Sequence, residues 1–128
     1  MEILIDRFEI IKTEICKIFD NPYDRPTDII GFSSGGRELA EKLIGVINPK
    51  EICFFDEAIK SDSRFHYLDF ANMLEKSEIM IFAMELPDKY YKNLDDLNEV
   101  CMIFIPKCYS KTISALINSG YAENLIIL

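Results

Sequence analysis

Apolar positions recur every three or four residues through Leu4, Phe8, Ile11, Ile15 and Ile18, a spacing that predicts an amphipathic helix over residues 2–19. Asn21, Pro22, Asp24 and Pro26 end it in a loop. The period then changes, and short unbroken apolar runs alternate with helical patterns. The runs at 28–32, 52–55, 79–84, 101–105 and 125–128 read as strands. Between them, residues 36–44 carry Leu39, Ala40, Leu43 and Ile44 on one helical face and stop at Gly45. Residues 57–64 are polar and loop-like, after which Asp69 is placed to cap a short helix through Phe70, Met73 and Leu74. Pro87 and Asp88 open another helix through Tyr91, Leu94 and Leu97, and a last one spans 109–119 and stops at Gly120.

Strands that are apolar on both faces and alternate with helices predict a parallel sheet covered on each side. The expectation is one three-layer α/β domain over residues 1–128, with 1–22 as the N-terminal helix segment and 28–128 forming the sheet and its helices. Right-handed crossovers favour about five strands in the order 3-2-1-4-5, preceded by an extra N-terminal helix. That helix carries Ile3, Ile5 and Ile10 beyond its main stripe, so it is expected to form a homodimer or partner-enzyme contact.

Composition narrows the function. The chain is 49% hydrophobic and 28% charged, as in an ordinary globular protein, and its net charge is −8. So acidic a surface repels phosphate backbones and argues against nucleic acid as a partner. No apolar run approaches the roughly 18 residues of a membrane span, and no basic segment leads into an apolar stretch at the start. The four cysteines, Cys16, Cys53, Cys101 and Cys108, form no C-x-x-C pair and mostly lie in apolar runs, so they read as buried, reduced hydrophobes in a cytoplasmic protein.

Candidate chemistry concentrates where the first strand meets the helix at 36–44. Gly31, Ser33, Ser34, Gly35 and Gly36 form a small-residue turn that leads into Arg37. Such a turn aims unpaired N–H groups and the positive end of a helix dipole at one point, where an anion fits. Two motifs overlap here. In G-x-G-x-x-G, Gly31, Ser33 and Gly36 hold the marked positions, Ser33 departing from the pattern, and Asp56 ends the next strand 20 residues after Gly36. A carboxylate there can accept hydrogen bonds from ribose hydroxyls. In G-x-S-x-G, Ser33 sits between Gly31 and Gly35 as a nucleophile would. That second motif needs an acid and then a late histidine. The single histidine, His66, comes 33 residues after Ser33, too early for the triad order. It sits among Phe65, Tyr67 and Leu68 and reads as a partly buried structural residue.

From residue 29 to residue 128 the chain resembles small bacterial Rossmann-like domains associated with sugar acyltransferases, methyltransferases and glycosyltransferases. The residues that carry the resemblance are Gly31, Phe32, Ser33, Ser34, Gly35, Gly36, Arg37, Glu38 and Leu39, then Cys53, Phe54, Phe55 and Asp56, then Ile113, Leu116, Gly120 and Ile126. The resemblance implies a Rossmann-like sheet and a nucleotide or nucleotide-sugar pocket at residues 31–37, with Asp56 facing a ribose. NAD(P) or a nucleotide sugar is the implied ligand, in a sugar-modification or cell-envelope setting. The module would carry no complete catalytic set.

Other constellations add less. A phosphoryl-accepting receiver domain needs an acidic pair after the first strand, where this chain has Gly31, Phe32 and Ser33. One histidine and scattered cysteines give no metal-ligand spacing. Glu85 and Asp88 flank Pro87 and read as a helix start. With the run at 101–105 as the fourth strand, the loops after strands one and four are expected to meet at the switch point. Lys107, Tyr109, Ser110 and Lys111 would then either face a phosphate and a base or stand as solvated surface groups. The runner-up functions are an interaction module with a vestigial pocket and, third, a serine hydrolase.

Overall fold

Each apolar strand divides its side chains between two cores, because successive residues of a strand point to opposite faces. In a computed structural model describing residues 7–18, 29–32, 36–44, 51–55, 65–96 and 102–128, Ile52, Phe54, Ile79, Ile81, Met102 and Phe104 pack on one face. Cys53, Phe55, Met80, Phe82, Ile103 and Ile105 pack on the other. The strands are β1 (Ile29–Phe32), β2 (Glu51–Phe54), β3 (Phe65–Tyr67), β4 (Ile79–Ile81), β5 (Met102–Ile105) and β6 (Leu125–Ile127). Every neighbouring pair is parallel, and the order across the sheet is β3-β2-β1-β4-β5-β6.

The expected α/β class is therefore present, with two corrections to the strands. There are six among the described residues, not five, because residues 65–67, between the expected loop at 57–64 and the Asp69 cap, form the strand β3. It pairs Ile52 with Phe65, Cys53 with His66 and Phe54 with Tyr67. Consequently the place beside β2, expected for residues 79–84, belongs to β3. The 79–84 run crosses to the other side of β1, where Gly31 pairs with Met80 and Phe32 with Ile81. Its regular part ends at Ile81, although the Phe82 N–H still donates to Phe104 O at 2.9 Å.

Helices α1 (Phe8–Ile18) and α2 (Arg37–Leu43) cover the first face. Ile11 and Ile15 of α1 are fully buried against the sheet, with Phe8 packed beside them. Those three residues of the stripe are committed to the molecule's own core. Of the surplus residues, Ile10 is 42% exposed, while Ile3 and Ile5 lie outside the described residues. Helices α3 (Phe70–Lys76) and α4 (Ser110–Asn118), with the 3-10 helix Asp88–Asp96, cover the second face.

Local chemistry sets the boundaries. Asp69 caps α3 as expected: Oδ1 accepts the Asn72 N–H at 3.1 Å and Oδ2 accepts Asn72 Nδ2 at 2.6 Å. The segment opened by Pro87 is 3-10 rather than α, and its apolar anchors Tyr91 and Leu94 stand three residues apart, one 3-10 turn. At the end of α4, Gly120 has φ +94°, its N–H donates to Ile117 O, and the Tyr121 N–H donates to Leu116 O. That paired pattern is the Schellman stop, which favours glycine at the left-handed position.

Candidate functional site

The strand order reverses between β1 and β4: β2 and β3 build outward from one, β5 and β6 from the other. Loops that leave the carboxyl ends of two such strands diverge to opposite faces and open a crevice. β1 is followed in the chain by residues 33–36 and then α2, and β4 leads into residues 82–87. Ser33, Ser34, Gly35 and Asp56 lie outside the described residues.

Gly31 sits inside β1, not after it. A Cβ there would stand 2.7 Å from Met73 Cγ and Sδ and 2.8 Å from Ser77 Oγ, so the missing side chain lets α3 close on the sheet. Gly36 is buried, stands at the N-cap of α2 with φ −88° and offers no side-chain cap; its carbonyl accepts the Ala40 N–H at 2.9 Å. Arg37 is half-buried and turned toward the β3 edge. Its guanidinium lies 4.7 Å over the Phe65 ring, and Nε is 3.7 Å from Glu41 Oε1.

The expected meeting of the loops after residues 32 and 105 at the switch point is corrected by the topology, because β4 stands between β1 and β5. Lys107 is exposed, and its N–H donates to Leu128 O at 3.1 Å, on the β6 side; Ser110 is exposed at the start of α4. Tyr109 alone of the three reaches the segment after β4, where its hydroxyl donates to Ala83 O at 3.0 Å. Burial, then the nearby Cys108 and Glu85, raise its pKa above the ordinary tyrosine value, so it remains a donor at neutral pH.

Three further residues hold that segment, and none was singled out from sequence as a holding group. Thr112 is fully buried, its Oγ1 accepts the Leu86 N–H at 3.0 Å, and Tyr91 Oη lies 3.4 Å from the same atom. Lys111 Nζ meets Asp88 Oδ1 at 2.6 Å on the surface, and that hydrogen bond raises the lysine pKa. Glu85, read as a helix-start residue, has its Oε2 buried with no hydrogen-bond partner among the described residues. It lies in the segment that follows β4.

Two sequence readings need correction. His66 is exposed rather than partly buried, and it lies on β3 with β2 between it and β1. Its Cα is opposite Cys53, which is opposite Gly31, so it stands about 10 Å across the sheet from the strand that leads to Ser33. Cys16 and Cys108 are exposed; Cys53 is buried, and Cys101 lies outside the described residues. Burial, with Glu51 beside it, pushes the Cys53 thiol up to about 11, and Sγ donates to Glu51 Oε2 at 3.8 Å. It is a protonated core group, not a nucleophile.

A parallel sheet whose order reverses between β1 and β4, with helices on both faces, defines a Rossmann-like domain. Solved structures share this fold. The PH0520 protein of Pyrococcus horikoshii is 18% identical with a TM-score of 0.56, over 79% of this chain and 34% of that one. A D-isomer specific 2-hydroxyacid dehydrogenase of Lactobacillus delbrueckii, solved in its NAD complexed form, is 17% identical with a TM-score of 0.56, over 84% of this chain and 36% of that one. The TT0316 protein of Thermus thermophilus is 10% identical with a TM-score of 0.57, over 80% and 36%. The chain thus spans little more than a third of the length of these three structures. No family model and no curated protein matches the sequence. Among the described residues, no helix is long and apolar enough to cross a membrane.

Proposed function

We propose that the chain is a nucleotide-binding module whose ligand lies in the crevice between the carboxyl ends of β1 and β4. The observation that carries this reading is the reversal of strand order at that point. The likeness in fold to a dehydrogenase solved with NAD supports it. The turn at 33–36 and Arg37 would border the phosphates, and Asp56 would accept from a ribose. Glu85 supplies a desolvated acceptor on the opposite wall, while Tyr109 and Thr112 hold that wall in place. Lys107 and Ser110 would flank the crevice from one strand further away. NAD(P) or a nucleotide sugar is the ligand class. A role without a complete catalytic set, in a sugar-modification or cell-envelope pathway, rests on the sequence resemblance.

Thermal melting against NAD, NADP, AMP, UDP-sugars and S-adenosylmethionine tests the reading. A ligand at a hundred times its dissociation constant is expected to stabilise the fold by about 2.7 kcal/mol. The second reading is an interaction module with a vestigial pocket. It is favoured by Ile10, which stands 42% exposed in a surface groove of about 310 Å³ lined by Glu9, Ile10, Thr13 and Glu14. If none of the nucleotides shifts the melting temperature, that reading displaces the first.

A further inference from the structure

We propose that β6 is the surface through which two copies of this chain associate, pairing antiparallel across a twofold axis so that the two sheets continue into one. No strand lies beyond β6 among the described residues. Leu128 directs both its backbone groups inward, its N–H to Ile105 O at 2.9 Å and its C=O to the Lys107 N–H at 3.1 Å. Backbone direction alternates along a strand, so Leu125 and Ile127 aim their N–H and C=O groups off the edge.

Natural sheet edges are ordinarily blunted with lysine, proline or a bulge. This edge has none of them: Leu125, Ile126, Ile127 and Leu128 form an uncharged apolar run in a chain of net charge −8. Ile127 is 52% exposed, although a parallel sheet normally covers both faces of its strands.

A second copy fits this edge by symmetry and by charge. Placing Ile126 on the axis sets Leu125 opposite the partner's Ile127, and both residues then offer outward backbone groups to each other. The two apolar side chains meet on the α4 face, and the two Ile126 side chains meet on the other. Antiparallel pairing also brings Glu123, just before β6, to the sheet end where the other copy carries Lys107. Both residues are exposed; Lys107 stands just after β5, one strand in from the edge, so the opposite charges approach across the seam, and the approach occurs twice.

Sedimentation of the intact chain tests the pairing, with melting curves to establish that each variant is folded. The wild type is expected to be a dimer and Ile127→Lys a monomer. Lys107→Glu should raise the dimer dissociation constant about tenfold, and adding Glu123→Lys should restore it. Ile10→Glu, on the outer face of α1, should leave the dimer intact. A monomeric wild type overturns the proposal. So does a dimer that survives Ile127→Lys, or one that is lost with Ile10→Glu. Nucleotide binding is read separately, so the failure of either proposal leaves the other standing.

Discussion

Gly31 belongs to a dinucleotide-type motif by sequence, yet its lack of a side chain is demanded from below, by Met73 and Ser77 of the α3 segment. Gly31→Ala must push α3 off the sheet or bend β1. The expected cost is about 1–3 kcal/mol, measured by urea denaturation, whether or not a ligand is present. Cys53 makes a second demand at this scale. Its folded pKa is raised, so the folded state holds its proton over a range where the unfolded chain has released it. The resulting stability is fully present below the ordinary thiol value of 9.0 and is lost as pH rises toward about 11. Denaturant melts between those pH values should show falling stability, and Cys53→Ala should flatten the slope.

Among the elements, those with local causes were legible in the sequence. The Asp69 cap, the stop at Gly120 and the unbroken apolar strands each rest on residues within one turn or one run. Gly120→Ala should cost about 1–2 kcal/mol, because φ +94° strains any side chain even though a Cβ there meets nothing. A stability change under a few tenths of a kcal/mol would show that the stop relaxes into another conformation. What was not legible is long-range. β3 has three residues, two of them exposed, and so lacks the apolar run that marks a strand. An apolar strand carries no label of its neighbour, so the crossing of the 79–84 run to the far side of β1 had no local sign. Nor does Thr112 carry a local sign of its role, because its partner, the Leu86 N–H, is 26 residues away.

At the scale of the whole molecule, the reversal of strand order concentrates the candidate chemistry at one end of the sheet. The small residues after β1 pointed to that end of the sheet, although 33–35 themselves lie outside the described residues. The opposite wall was misassigned, because sequence placed the loop after residue 105 where the segment after residue 81 stands. With net charge −8, and with Arg37 held by Phe65 and Glu41 and Lys111 by Asp88, a nucleotide in the proposed crevice would rely on backbone amides more than on side-chain charge. The most direct measurement is therefore of those amides: a ¹⁵N–¹H correlation spectrum of the intact chain, titrated with whichever nucleotide raises the melting temperature most, or with NAD when none does. The shifts are expected to cluster at residues 31–37 and 82–86, on the two walls of the crevice. Shifts confined to α1 or β6, or none at saturating nucleotide, would contradict a nucleotide site between β1 and β4.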